Sequence, residues 1–410
     1  MRTILHCDLN NFYASVECLR HPEYKDSPVI VSGNPEKRHG IVLAKNMPAK
    51  RACIRTGETI WQAQIKCPNL VCLPPHFEDY MRLSEQIFKM YTGYTDRVEA
   101  FGPDECWLDV TGSRRLLGDG VTIADDIRRR VREETGLTVS VGVSWNKIFA
   151  KLGSDLKKPD ATSVLMPDGY DAIVRPLPVG DMFMIGPATV RALAQMNIST
   201  IGDLADADPA VLIRRFGKNG AMMSRYARGE DDDPVRLYYA KRVPESVGHG
   251  ITTTRDLDSH EDLRVVSFFL ADKIAKRLRK GGFTAGRIAI DLRDANLEHV
   301  SRQCALPYPT DSATVIGQSA YELAAALFTP GESVPIRTVT VSTFALGEIG
   351  AARQASLFEP TDYEKEHRLG KTLDELSSKF GRDSVRRALS LGNDFVYDKS
   401  DSEDFLPFKR

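Results

Sequence analysis

Ile4-Leu5-His6-Cys7-Asp8-Leu9-Asn10 and, further along, Phe101-Gly102-Pro103-Asp104-Glu105-Cys106-Trp107-Leu108-Asp109-Val110 decide how this chain is read. Each is a strand-like apolar run with carboxylates at one end. A carboxylate costs several kcal/mol to bury unless it is paired or bound to a metal. Asp8, Asp104 and Glu105 converging from neighbouring strands would therefore make a site for hard divalent cations. Magnesium is the first candidate, because it takes carboxylate oxygens and leaves positions open for substrate phosphates. Taken one at a time, each acid reads equally well as a solvated strand-end residue.

Around these runs, residues 3–9 form a strand, and residues 11–20 carry Phe12, Val16 and Leu19 at helical spacing. Residues 79–91 are a second amphipathic helix. Strands at 98–101 and 106–110 meet at Gly102-Pro103, a helix follows over 121–134, and 138–144 alternates as a strand. The order strand, helix, strand, strand, helix, strand is the ferredoxin-like split arrangement. An insert over residues 20–76 brings its own strands at 28–31 and 41–43. In this topology the first strand lies beside the hairpin, so Asp8 and Asp104 face one another. Successive side chains of a straight strand point to opposite faces. Asp104 and Glu105 thus share one site only if the chain turns there, and Gly102-Pro103 supplies the turn.

The 410 residues are 42% hydrophobic and 27% charged, with a formal net charge of -1. Length and composition are those of an ordinary soluble protein of two to four domains, and the order of elements makes it α+β. No apolar run approaches the roughly 20 residues of a membrane span, and the first residues lack a secretory pattern, so a cytoplasmic protein is expected. Seven scattered cysteines without a C-x-x-C argue against a disulfide framework or a zinc site. Near-neutral charge argues weakly against a large nucleic-acid surface. Basic clusters nonetheless stand at Arg128-Arg129-Arg130 with Arg132, at Lys157-Lys158, and at Lys273, Lys276, Arg277, Arg279 and Lys280. Each also reads as the solvated face of a helix.

Three segments at matching intervals carry a resemblance. They are Asp8-Leu9-Asn10-Asn11-Phe12-Tyr13-Ala14-Ser15-Val16-Glu17, the pair Asp104-Glu105 with Leu108-Asp109-Val110-Thr111, and Ser140 to Lys151 followed by Lys157-Lys158-Pro159-Asp160. Together they resemble the signature segments of the Y-family DNA polymerases, nearest to the DinB (DNA polymerase IV) branch, over residues 1 to about 358. The resemblance implies a right-handed polymerase. Its ferredoxin-like palm would span 1–19 and 77–167, small fingers 20–76, a helix-hairpin-helix thumb 168–236, an α+β little finger 241–347, and a tail 348–410. It implies template-directed, low-fidelity translesion synthesis on primer-template DNA with deoxynucleoside triphosphates. Asp8, Asp104 and Glu105, with the Leu9 carbonyl, would hold two magnesium ions for two-metal phosphoryl transfer.

By the same resemblance Tyr13, beside Phe12, is a steric gate that excludes the ribose 2′-hydroxyl; read without it, Tyr13 is a core aromatic. Lys158 would reach the triphosphate, and Ile41 and Leu43 would roof the nascent base pair. The fingers segment departs from the family pattern. Met47 stands where a tyrosine is usual and Lys50 where an arginine is usual, so Lys50 or Arg51 is expected to take the phosphate contact without the planar fork of arginine. Asn10 stands where an acid is usual, and Gly102-Pro103 replaces serine-isoleucine.

Residues 184–189 and 198–204 read as helix, tight turn, helix. Gly186 and Ala188 would then meet a DNA phosphate at a helix N-terminus, although Gly186 reads also as a plain helix cap. In the little finger, Lys273, Lys276, Arg277, Lys280 and Arg255 are candidate phosphate contacts, with helices at 260–280 and 314–327 and strands at 287–293 and 339–344. Gln354-Ala355-Ser356-Leu357-Phe358 resembles the bacterial sliding-clamp-binding pentapeptide, Leu357 and Phe358 being anchors and Gln354 and Ser356 polar partners. A monomer is expected. Two other readings of the palm are a non-catalytic repair accessory protein and a nucleotidyl cyclase; the retained acids oppose the first, and the thumb and clamp peptide the second.

Overall fold

The computed structural model describes residues 1–33, 40–240, 243–350, 363–381, 384–391, 393 and 396. They fall into two compact units divided after residue 241. In the first unit β1 (Ile4–Leu9) and α1 (Phe12–Arg20) lead into a small sheet of β2 (Val29–Ser32), β3 (Val42–Lys45) and, after α2 (Met47–Arg51) and α3 (Ile60–Lys66), β4 (Val71–Leu73). The chain continues through α4 (Phe77–Tyr91), the hairpin β5 (Val98–Ala100) and β6 (Glu105–Asp109), α5 (Arg114–Leu117), α6 (Gly120–Thr135), β7 (Val139–Ser144), α7 (Lys147–Leu156) and β8 (Thr162–Val164). Four short helices close it: α8 (Pro187–Ala194), α9 (Ile201–Asp206), α10 (Pro209–Phe216) and α11 (Lys218–Ala227).

The main sheet has the order β5-β6-β1-β7-β8. Its first four strands pair antiparallel, which is the split arrangement expected from the order of elements. β8 adds a parallel edge strand of three residues, too short for an alternation to be read. β1 is buried along its whole length because both faces of the sheet are covered. Leu5, Cys7 and Leu9 join Cys106, Leu108, Val141 and Val143 against Ile87, Tyr91, Ile123 and Ile127 of α4 and α6. On the other face Ile4 and Trp107 pack with Ala150 of α7. There α7 lies so close to β7 that a Cβ on Gly142 would stand 1.9 Å from the Ala150 carbonyl oxygen. Only glycine allows that approach.

The second unit holds β9 (Ser246–Leu257), α12 (His260–Gly281), β10 (Phe283–Asp294), β11 (His299–Thr310), α13 (Ala313–Ala325) and β12 (Ile336–Glu348), in an antiparallel sheet of order β11-β10-β12-β9. Ile288, Ile290, Leu292, Val339 and Val341 face Leu263, Leu270, Ile274 and Leu278 of α12 and Ile316 and Ala320 of α13. Sequence reading finds β10 and β12 but misses β9 and β11, the two edge strands, whose alternation is diluted by exposed polar residues such as Ser301, Arg302 and Gln303. α14 (Tyr363–Phe380) is fixed to this unit by a bidentate Arg279–Asp374 pair at 2.7 and 3.1 Å and by His367 on the buried Asp311 at 2.5 Å. No helix among the described residues is long and apolar enough to cross a membrane.

Gly142→Ala sets a methyl group against backbone that cannot move without lifting α7. It is expected to lower unfolding free energy by about 1–3 kcal/mol or more, measured by urea denaturation.

Candidate active site

Register places the acids. In the β1–β6 ladder Asp8 pairs with Glu105 and His6 with Trp107, so these four side chains stand on one face of the sheet. The Leu9 amide donates to the Asp104 carbonyl (2.9 Å), carrying the pairing past the end of β6. The Phe101 and Gly102 amides both donate to the Glu105 carbonyl (2.9 and 3.2 Å), which closes a tight turn over 101–105. The chain does turn where Gly102-Pro103 stands.

Three crowded carboxylates repel one another, and lysines answer them. Lys158 Nζ is 2.6 Å from Asp8 Oδ2 and 2.6 Å from Asp155 Oδ1. Lys151 donates to Glu105, while its ammonium sits 5.3 Å from the Phe101 ring centre and 5.8 Å from that of Phe183. Burial raises the Asp8 pKa; Lys158 opposes this, and the charges of Glu105 and Asp104 add to it. Burial, then the Glu105 charge, push the Asp104 carboxyl up to about 6. Glu105 goes the other way: burial opposes the shift, but the His6 imidazole and the Lys151 ammonium hold it below the usual carboxylate range. His6 is fully buried, and burial holds it down to about 4. With Asp8 turned to Lys158 and Glu105 to Lys151, no three metal-ligating side chains form a cage among the described residues.

α7 supplies much of this surround as one stripe. Lys147, Lys151 and Ser154, at helical positions i, i+4 and i+7, meet Glu99 (2.9 Å), Glu105 and His6 Nδ1 (2.9 Å) in turn. Lys147 also lies 4.8 Å from the Trp107 ring centre, so its role is structural, as its apolar neighbours suggest. The loop that carries Lys158 is tied down through Asn10. The buried Asn10 amide donates to Ser140 Oγ (2.8 Å), and its oxygen accepts from Thr138 Oγ1 (3.0 Å) and from the Asp160 backbone N–H (2.8 Å). Arg128 and Arg132 hold the Asp160 carboxylate. The residue that departs from the acidic pattern is therefore a buried clip with both a donor and an acceptor to satisfy, which aspartate does not offer.

Tyr13 follows Asp8 closely in the chain. Burial, then the Asp104 charge, push its phenol up to about 12. Its ring stacks on Tyr80 at 4.3 Å, and Phe12 is buried beside it. Ile41, just before β3, is exposed and Leu43 within it half-buried, while Lys50 and Arg51 are exposed on α2. α2 is capped by Asn46, whose side-chain oxygen accepts from the Ala49 and Val29 amides (3.1 and 3.0 Å). Gly186 caps α8 with open space around it, and Ala188 is exposed in the first turn. In the second unit Lys280 is exposed and Lys276 half-buried, and Lys273 lies 4.3 Å from the Phe269 ring centre. Arg277 donates to the Gly248 carbonyl (3.0 Å), and Arg255 forms a bidentate pair with Asp262 at 2.9 and 2.6 Å. Gln354, Ser356, Leu357 and Phe358 lie outside the described residues.

Residues 7–155 match the model of the impB/mucB/samB family, and residues 244–357 that of its C-terminal domain. The chain is 43% identical to the DNA polymerase IV of Acetivibrio thermocellus, over 95% of this chain and 98% of that one. It is 38% identical to the DNA polymerase IV of Moorella thermoacetica, over 95% and 96%. The chain belongs to the DNA polymerase IV family of the Y-family polymerases. It is also 35% identical to DNA polymerase IV 2 of Bacillus subtilis over 95% of both chains. A solved Y-family DNA polymerase chimera, 22% identical, shares the fold with a TM-score of 0.74 over 84% of this chain and 99% of that one.

Within this polymerase family fold, sequence reading missed His6, Lys151, Ser154 and the clip made by Asn10. The signal for the α7 residues was present as a polar stripe at helical spacing on a helix otherwise read for its apolar side. Asp104 gives a test of the electrostatics. Its carboxyl is raised in the fold, so its charge opposes folding above about pH 6 and has no effect below its ordinary range near pH 4. Asp104→Asn in chelator is expected to be more stable than wild type by about 1–3 kcal/mol at pH 7.5. That gain should fade as pH falls toward 4, followed by thermal unfolding.

Proposed function

We propose that this chain is a template-directed DNA polymerase that adds deoxynucleotides to a primer 3′ end with low fidelity, in translesion synthesis. The observation that carries the reading is the register pairing Asp8 with Glu105, with Asp104 in the adjoining turn, in a chain of the DNA polymerase IV family. The donor set fits divalent ions: oxygen ligands only, two of them, Asp8 and Asp104, raised in pKa by burial and then by the neighbouring acids, and countered by lysine ammoniums on flexible stems. Asp8, Asp104, Glu105 and the Leu9 carbonyl would hold two magnesium ions. The chemistry supplied by ions held there would be Lewis-acid activation of the primer 3′-hydroxyl and charge neutralisation at the triphosphate and leaving pyrophosphate.

The chain's own side chains supply the rest. Lys158, held by the Asn10 clip, exchanges Asp8 for a triphosphate oxygen. Lys50 and Arg51 add charge from α2, and Met47 adds none. Tyr13 excludes the 2′-hydroxyl, and Ile41 and Leu43 cover the base pair. The palm is residues 1–19 and 77–167, the fingers 20–76, the thumb 168–236 and the little finger 241–347. Gly186 and Ala188 of the thumb and Lys273, Lys276, Lys280, Arg277 and Arg255 of the little finger take DNA phosphates, the two arginines only on leaving their present partners. The chain acts as a monomer in the cytoplasm, with the sliding clamp as partner through residues 354–358.

Single-nucleotide extension opposite each of the four template bases tests this reading. Wild type is expected to insert the complementary deoxynucleotide, and Asp104→Ala to lose roughly a thousandfold or more in kcat/KM while binding primer-template as before. Untemplated incorporation, or full activity in Asp104→Ala, would count against it. Leu357→Ala with Phe358→Ala should cut product length only when the clamp is loaded. Equal product lengths would remove the clamp assignment.

A further inference from the structure

We propose that Glu17 is a positioning residue for sugar selection, acting through Tyr80 on the ring of Tyr13. The inference rests on the reading of Tyr13 as the sugar gate. Glu17 lies one helical turn beyond Tyr13 on α1 and is 0% exposed. A carboxylate so placed must be satisfied by donors, and α4 with its N-terminal cap provides them. The Tyr80 hydroxyl donates to Oε1, and His76 Nδ1 stands 3.0 and 3.1 Å from Oε1 and Oε2. Arg20 Nε is 3.7 Å from Oε2. Glu17 is thus a fixed point between the two helices, in surroundings where charge-assisted hydrogen bonds are strong.

From that point a packet of rings runs to the gate. Tyr80 lies flat on Tyr13, with centroids 4.3 Å apart and planes 14° from parallel. Phe77 stands edge-on to both, at 5.9 Å and 88° from Tyr13 and at 5.7 Å and 81° from Tyr80. The plane of Tyr13 is therefore set by the plane of Tyr80, and Tyr80 is held at its far end by Glu17. A gate of this kind discriminates by shape against a single added hydroxyl. A ring free to swing would yield that space. Glu17 thus fixes the ring of Tyr13 from behind, through Tyr80.

The test is the ratio of kcat/KM for a matched deoxynucleotide over its ribonucleotide, measured on the full chain in single-nucleotide extension. This ratio does not depend on how much of a preparation is folded. Tyr80→Phe keeps the stacked ring and removes its tether; it is expected to lower the ratio roughly fivefold or more, chiefly by improving ribonucleotide use. Glu17→Leu should lower it similarly, the double variant no further, and Glu17→Gln, which still accepts from Tyr80, should restore most of it. Tyr13→Ala, the control, should lower it most. If Tyr13→Ala collapses the ratio while Tyr80→Phe and Glu17→Leu leave it unchanged, the role of Glu17 is overturned and the gate stands. If Tyr13→Ala itself leaves the ratio unchanged, the gate reading fails and this inference with it.

Discussion

Charge crowding at the end of one sheet governs the rest of this structure. Cross-strand pairing of β1 with β6 sets Asp8 opposite Glu105, and the adjoining turn brings Asp104 to the same end. In a half-buried place their repulsion is only weakly screened by solvent, so the fold surrounds them with cations it must also hold. α7 lies on the sheet because Gly142 lets it, and it carries Lys151 to Glu105. The loop after α7 returns Lys158 to Asp8, and Asn10, Arg128 and Arg132 pin that loop.

The same arrangement sets stability against function. Lys158 neutralises Asp8 in part, yet the Asp8 and Asp104 carboxyls stay raised, so both charges are carried at a cost to folding. A chain selected for stability alone would replace one of them with an amide. Retaining all three, with counter-ions on long flexible stems, suits a site that exchanges those counter-ions for cations brought by the substrate. Beside it, by contrast, the ring packet of Tyr13 and Tyr80 is anchored on a fully buried carboxylate, Glu17.

Much of the fold was legible because the palm strands are short, strongly apolar and punctuated by turn residues, and because their order admits one split topology. The acids were legible as carboxylates at strand ends, and Gly102-Pro103 as the turn joining two of them. Edge strands β8, β9 and β11 were not: β8 has only three residues, and exposed polar residues dilute the alternation of β9 and β11. Long-range polar partners were harder still. Nothing near Asn10 in the chain points to Asp160, and nothing near Glu17 points to His76 and Tyr80; only the packing of α1 on α4 brings the latter together. Lys151 was a missed opportunity, because its place in the stripe with Lys147 and Ser154 can be read directly once α7 is known to face the acidic end of the sheet.

Whether the acids at the sheet end hold metal is settled by counting ions. Manganese, a paramagnetic substitute for magnesium, can be titrated into the complex of the full chain with primer-template and a non-hydrolysable deoxynucleotide, and bound ions read by electron paramagnetic resonance. Two ions per chain are expected, with loss of at least one from Asp8→Asn and from Glu105→Gln. Two ions bound with unchanged affinity in both variants would mean that the acids at the sheet end are not the ligands.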